Sequence, residues 1–280
     1  MKEFTAYGLI GDPVGHSLSP AVMNIFLQHY GMNAAFIVIR IRKGELSRLF
    51  DDYIGALSLG GFTITMPHKE DVIPYLDEMS DAAKRCRSVN VVSFSGGKRF
   101  GHTTDGLGCL KSFEETGRKA KDQKVVILGV GGASKSIAHA FGAAGADVTL
   151  LSRDIEKAKA AADEIGGIKG GDSGRLNSYM PGCTLFINAS PLGMKGSPDF
   201  DDFSFLDLLP KTATVYDAVY NPRETSLLRE ARNRGIHTVE GLRMLLSQMG
   251  ALFETLTGIS PDGEVMQTAF CKVGDLLAEK

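Results

Sequence analysis

The segment Lys124-Val-Val-Ile-Leu-Gly129-Val-Gly131-Gly132-Ala133-Ser134 joins a short apolar run to a stretch of small and apolar residues at helical spacing. Residues 125–128 read as a buried parallel strand and residues 134–144 as a helix, so the glycines fall between the two. Gly129 suits a tight turn, and Gly131 lets backbone N–H groups approach a pyrophosphate with no Cβ in the way. Gly132, Ala133 and Ser134 leave the helix N-terminus open to phosphate charge. This is the chemistry of a dinucleotide-binding turn. The next apolar run, residues 148–151, ends at Ser152-Arg153-Asp154, where such folds read the adenosine ribose. A guanidinium there pairs with a 2′-phosphate, whereas an acidic residue takes the 2′-hydroxyl. Arg153 comes first after Ser152, and Lys157 adds a second cation, so NADP is the expected cofactor. NAD stays open, because Asp154 could select it or could instead cap a helix.

The elements that must position these groups alternate along the chain. Residues 7–10, 35–41 and 61–65 read as strands and residues 20–30 and 44–53 as helices, which makes one α/β unit. Residues 89–94 and 99–103 flank Ser95-Gly-Gly97 as a hairpin, and residues 105–116 form a helix leading toward the glycine-turn strand. Strands at 184–188 and 213–218 extend the second sheet, and a helix at 243–257 comes last. The expected fold class is α/β with two domains. One is an N-terminal α/β substrate domain, residues 1–105, completed by C-terminal helices within 241–280. The other, residues 106–240, is a Rossmann-type, doubly wound parallel-sheet dinucleotide domain. Ligands of such sheets bind beyond the carboxyl ends of the strands, so the loops after Gly129, Asn188 and Asp217 should converge on the cofactor.

At 280 residues the chain is long for one core and suits two. Its 31 Lys plus Arg against 33 Asp plus Glu leave a formal charge of −2, with no basic run to mark a nucleic-acid partner. A small-molecule partner fits better. Cys86, Cys109, Cys183 and Cys271 lack C-x-x-C spacing and read as reduced thiols, and no metal site is expected. No apolar stretch reaches membrane length and no hydrophobic signal core opens the chain, which makes a cytoplasmic protein with no membrane partner the expectation. The composition leaves monomer and homodimer equally open.

Polar residues of the N-terminal half gather where strands should end. In Gly11-Asp-Pro-Val-Gly-His16-Ser17-Leu-Ser19-Pro20, Ser19 reads as an N-cap ahead of Pro20 at the first helical position. A cap is less natural for Ser17, so its hydroxyl is expected to face a ligand. Thr63-Ile-Thr65-Met-Pro67-His-Lys69 ends another strand and puts a lysine just past a proline turn; taken alone, a lysine is a solvated charge. Gln248 sits on an otherwise apolar helix, where a buried amide needs partners and a ligand could supply them.

Taken together, these segments resemble the shikimate dehydrogenase family. Gly11-x-Pro13-x-x-His16-Ser17-x-Ser19-Pro20 is similar to its N-terminal signature and Thr63-x-Thr65-x-Pro67-x-Lys69 to its lysine motif. Val89-Asn90 and Thr104-Asp105-Gly106-x-Gly108 resemble its asparagine and aspartate motifs. The glycine turn, Asn188-Ala-Ser190-Pro191-x-Gly193-Met194, Asp217-x-Val219-Tyr220-x-Pro222-x-x-Thr225 and Gly241-x-x-Met244-Leu245-x-x-Gln248 continue in the same order. The resemblance implies an NADP-dependent oxidoreductase that interconverts 3-dehydroshikimate and shikimate by hydride transfer on the chorismate route to aromatic amino acids. Lys69 and Asp105 would be its catalytic pair. Hydride arriving at a ketone carbon leaves alkoxide charge on oxygen, which an ammonium stabilises by donating a proton, and a neighbouring carboxylate holds that ammonium in place. By the same resemblance Ser17 and Ser19 hold the substrate carboxylate. Thr63, Thr65, Asn90 and Gln248 address the carboxylate or ring hydroxyls, and Tyr220 stands near the acid end. Ser190, Met194 and Gly241 border the nicotinamide. The chain departs from the family pattern at Thr63 and Thr103, where asparagine is usual, at Arg87-Ser88 for Gly-Ala, at Val91 for threonine and at Met23 for histidine. Two lost amides bear on which substrate is paired. A divergent member acting on quinate or an amino-substituted shikimate analogue is therefore a second expectation, and a catalytically silent metabolite or nucleotide sensor a third.

Overall fold

The computed structural model describes residues 4–15, 17–54 and 59–278. Contacts gather the chain into two compact units, residues 1–104 with 248–280, and residues 105–247.

The first unit begins with β1 (Thr5–Gly11), α1 (Ser19–His29), β2 (Ala34–Arg40) and α2 (Leu46–Arg48), which widens into a looser helical turn over Leu49–Tyr53. It continues through β3 (Leu59–Ile64), β4 (Glu78–Met79), α3 (Asp81–Cys86), β5 (Val91–Ser95) and β6 (Lys98–His102). The six strands form one sheet in the order β2-β1-β3-β5-β6-β4. It is a mixed sheet, with β1 parallel to β2 and β3, and β5 antiparallel to β3 and β6. Residues of both parities are buried along β1, as expected for a strand covered on both faces. The hairpin between β5 and β6 turns at Gly96 and Gly97, whose φ angles of 56° and 77° match a tight two-residue turn.

The second unit contains α4 (Asp105–Glu114), β7 (Lys124–Leu128), α5 (Gly132–Ala143), β8 (Asp147–Ser152), α6 (Ile155–Ile165), β9 (Lys169–Asp172) and α7 (Leu176–Tyr179). Then come β10 (Leu185–Asn188), β11 (Thr214–Asp217), α8 (Ser226–Asn233) and β12 (His237–Val239). α9 (Gly241–Thr257) starts in this unit; from Gln248 onward it counts with the first, as does α10 (Gly263–Ala278). All pairings are parallel and the order is β12-β11-β10-β7-β8-β9. The strand order reverses between β7 and β10, the switch point at which doubly wound sheets bind ligands. Alternate residues of β7 enter different cores: Val125 and Ile127 pack with Phe141, Leu150 and Ile187, whereas Val126 and Leu128 pack with Phe186, Val215 and Leu227. That alternation is the two-residue period of a strand between two helical layers.

Two expectations need correction. The helix over 243–257 is not the last element, because α10 follows it. Ser19 is not an N-cap: it is the first residue of α1, Pro20 is the second, and Leu18 in the cap position makes no side-chain bond. Two residues before Ser19, the Ser17 hydroxyl accepts the Ser19 amide at 3.3 Å, so the first amide of α1 is met from outside the helix.

Candidate active site

The neighbouring ends of β1 and β3 carry two of the polar segments. A Cβ on Gly11 would stand 2.5 Å from Thr65 Cγ2 and 2.8 Å from the Met66 carbonyl oxygen, so the two loops touch. The Asp12 amide donates to that same carbonyl at 2.9 Å. Beyond this junction the half-buried Lys69 accepts the Val89 amide on its own carbonyl at 2.8 Å, which fixes its backbone beside the start of β5. The next residue, Asn90, is 2% exposed and grips Thr104 twice: Nδ2 donates to Thr104 Oγ1 at 3.0 Å and Oδ1 accepts the Thr104 amide at 2.9 Å. Lys69 and Thr104 thus hang on consecutive residues of one strand entry. Asp105 follows Thr104 directly as the buried first residue of α4.

The other predicted substrate residues are placed unevenly. Ser17 is half-buried and its hydroxyl lies 3.3 Å from that of the buried Ser19, giving a pair of hydroxyls at the start of α1. His16 lies outside the described residues. Thr65 and Tyr220 are half-buried, and burial raises the Tyr220 phenol above its ordinary pKa. Thr63 is enclosed in β3, with its hydroxyl donating to the Gly8 carbonyl at 3.4 Å. Gln248 is half-buried on α9 rather than enclosed.

On the dinucleotide side, Gly129 has φ 119°, and a Cβ there would lie 2.9 Å from both the Ala189 carbonyl oxygen and Ser134 Oγ. Ser134 Oγ in turn donates to the Ala189 carbonyl at 3.0 Å, tying the first turn of α5 to the loop after β10. Gly131 is the cap residue of α5 and brings no capping side chain, and nothing lies within 4 Å of where its Cβ would be. No side chain of the cap residue meets the first-turn amides of α5, at the positive end of a twelve-residue helix, which fits a pyrophosphate. Past β8, Ser152 Oγ accepts the Asp154 amide at 3.1 Å, and Asp154 Oδ1 accepts the Lys157 amide at 3.3 Å as the N-cap of α6. The carboxylate thus serves the helix. Arg153 is exposed and has no ion-pair partner among the described residues, and the exposed Lys157 stands 3.7 Å from Asp154. The geometry fits a 2′-phosphate better than a 2′-hydroxyl.

The loops beyond β7, β10 and β11 meet. Asn188 Nδ2 donates to Asp217 Oδ1 at 2.9 Å, and a Cβ on Gly241 would stand 2.5 Å from the Val219 carbonyl oxygen, which seats the start of α9 on the loop after β11. Ser190 is half-buried beside Asn188, and Met194 is 37% exposed. Sequence reasoning places Asn188 and Asp217 at strand ends and Thr225 and Thr104 within motifs; the bonds these residues make join separate strands and loops, which spacing does not reveal. Among the described residues no group of three or more His, Cys, Asp or Glu could hold a metal ion, and no helix is long and apolar enough to cross a membrane.

A doubly wound parallel sheet whose switch point carries an uncapped glycine turn and a cationic ribose position defines the class of Rossmann dinucleotide-binding α/β proteins. Residues 9–92 match the family model for the shikimate dehydrogenase substrate binding domain. A shikimate dehydrogenase (NADP(+)) of Pyrococcus abyssi is 38% identical over 261 residues, covering 93% of this chain and 95% of that protein. The chain belongs to the shikimate dehydrogenase family. Among solved structures, it is similar to shikimate 5-dehydrogenase from Thermus thermophilus in complex with NADP(H) and shikimate, with a TM-score of 0.84 and 30% identity over 96% of this chain and 99% of that one. It is also similar to quinate dehydrogenase from Corynebacterium glutamicum in complex with NAD, with a TM-score of 0.87 and 31% identity over 96% of this chain and all of that one.

Proposed function

We propose that this protein is an NADP-dependent oxidoreductase that interconverts 3-dehydroshikimate and shikimate in aromatic amino acid biosynthesis. The observation that carries the reading is the entry to β5, where Val89 holds the Lys69 backbone and Asn90 holds Thr104, the residue before Asp105. When bound, the cofactor supplies or accepts the hydride. Lys69 donates a proton to the developing alkoxide oxygen and, in the oxidative direction, its neutral amine takes the proton back. Asp105 holds the ammonium and accepts a hydrogen bond from a ring hydroxyl. Ser17 and Ser19 take the substrate carboxylate, Thr65, Asn90 and Gln248 orient the ring, and Tyr220 closes the acid end. Thr63 shapes this site from within the sheet.

On the cofactor side the turn from Gly129 to Ser134 takes the pyrophosphate, and Arg153 with Lys157 takes the 2′-phosphate beside Ser152. Ser190, Met194 and Gly241 border the nicotinamide, with Met194 as a soft apolar wall. The reading places the enzyme in the cytoplasm as a monomer or homodimer.

The test follows reduced-cofactor absorbance with shikimate and with quinate, each with NADP and NAD. Shikimate with NADP should turn over fastest. Lys69→Ala should lower turnover about a hundredfold or more while NADP binding persists, in line with the loss of a positioned proton donor. Wild-type turnover by that variant would remove Lys69 from the mechanism. Preference for quinate would reassign the substrate, and binding of cofactor and acid without any turnover would make the protein a sensor.

A further inference from the structure

The last residues of β10 and β11, Asn188 and Asp217, lie opposite each other in register and are fully buried. Asn188 Nδ2 donates to Asp217 Oδ1 at 2.9 Å and to the Leu192 carbonyl at 3.0 Å. Its Oδ1 accepts the Ser190 amide at 3.1 Å and the Ser190 hydroxyl at 2.6 Å. Asp217 accepts the Val219 amide at 3.0 Å on Oδ1 and the Thr225 hydroxyl at 2.6 Å on Oδ2. The Thr225 oxygen also accepts the Leu228 amide at 3.3 Å, capping α8. Each of these partners gives Asp217 a hydrogen, the arrangement an ionised carboxylate needs. Neither Asn188, Asp217 nor Thr225 has a part in the proton or hydride chemistry described above. Their bonds instead reach residues 189–194, which carry Ser190 and Met194, and residues 218–225, which carry Tyr220.

We propose that Asn188, Asp217 and Thr225 act as one positioning unit that holds both loops for the cofactor, so that NADP affinity depends on the bond from Thr225 to Asp217. The inference rests on the NADP reading above. A buried carboxylate deprived of one donor must rotate or move toward water to recover it. Because Oδ1 of Asp217 serves Asn188 and Val219 together, such a movement disturbs both loops at once. Asn188 passes it on to Ser190 and Leu192.

Thr225→Val keeps the shape and removes the hydroxyl, whereas Thr225→Ser keeps the hydroxyl. The NADPH dissociation constant from titration calorimetry, and KM for NADP, should rise about tenfold in Thr225→Val, from the penalty for an unpaired buried acceptor, with a smaller change in kcat. Thr225→Ser should stay within about twofold of wild type, since its donor survives. In the ligand-free protein, amide exchange at Ser190 and Val219 should quicken in Thr225→Val only. Asp217→Asn, of equal size but neutral, should lose at least as much affinity and stands in if Thr225→Val fails to fold. A variant that melts earlier yet keeps the wild-type dissociation constant and KM would overturn the proposal, reducing the unit to a stabilising contact. So would unchanged exchange at Ser190 and Val219. A wild-type protein that binds NADPH but oxidises neither acid would defeat the substrate reading and leave this measurement intact.

Discussion

Replacing Gly129 with alanine puts a Cβ into the tightest crossing of the dinucleotide turn. At φ 119° the backbone lies where L side chains are strained, which costs about 1–3 kcal/mol. The new carbon would stand 2.9 Å from the Ala189 carbonyl oxygen and from Ser134 Oγ, and 3.1 Å from the Ala189 carbonyl carbon. Unstrained contacts are about 3.5 Å or more, so the loop after β10 must retreat by roughly half an ångström. That movement stretches the bond from Ser134 Oγ to the Ala189 carbonyl, worth about 1 kcal/mol. Strain and crowding partly relieve each other, and a total near 3 kcal/mol follows. For a unit of this size that lowers Tm by about 6–12 °C. The retreat also tilts the amides that face the pyrophosphate, so NADPH affinity should fall about tenfold. Scanning calorimetry reads the first effect and isothermal titration with NADPH the second. Ser134→Ala, which removes the hydroxyl without the strain, should cost only about 1 kcal/mol. A Gly129→Ala protein with wild-type Tm and wild-type NADPH affinity would refute the reasoning.

Arg153→Ala should raise KM for NADP about tenfold and leave KM for NAD nearly unchanged, because an exposed guanidinium pairs with the 2′-phosphate through solvent-screened charge; equal effects on both cofactors in steady-state assays would exclude that role. Asp217 supplies a pH test. Burial pushes its carboxyl up to about 6 from an ordinary 3.8, against the pull of Thr225, Val219 and Asn188, with nearby Asp199 adding to the rise. Between about pH 4 and pH 6 the folded chain keeps a proton that the unfolded chain has released, so this group's contribution to stability falls as pH rises through that window. The loss amounts to about 3 kcal/mol and is complete above about pH 6. Urea unfolding across this range should show the wild type losing stability relative to Asp217→Asn, and a gap between the two that does not change with pH would contradict the assignment.

Strands with continuous apolar runs were legible in advance. The core of β7 and the neighbouring β8 and β10 are rich in Val, Ile, Leu and Phe because helices cover both faces of the sheet. β9 was not legible: Lys169-Gly-Gly-Asp172 has no apolar side chain and is a strand because it pairs with β8 and lies against α6. β4 and β12 are too short to carry a period. α10 was within reach, since Val265, Ala269 and Val273 recur every four residues and are buried. For the site, the glycine turn and Arg153 were readable because their roles are local. Asp154 could not be settled between cap and ribose ligand until its bond to the Lys157 amide was seen. Ser19 reads as a cap from its place before Pro20, whereas α1 begins at Ser19 itself; local residue types do not fix a helix start to within one residue. The grip of Asn90 on Thr104 and of Asp217 on Thr225 spans the chain between elements, where sequence offers residue types without partners.

α9 changes allegiance partway along its length, and the first unit is built from both ends of the polypeptide around an uninterrupted insert. During synthesis the insert leaves the ribosome with every strand of its parallel sheet available, while its host still waits for α10. The first unit is therefore completed last, from a beginning made early and an ending made late.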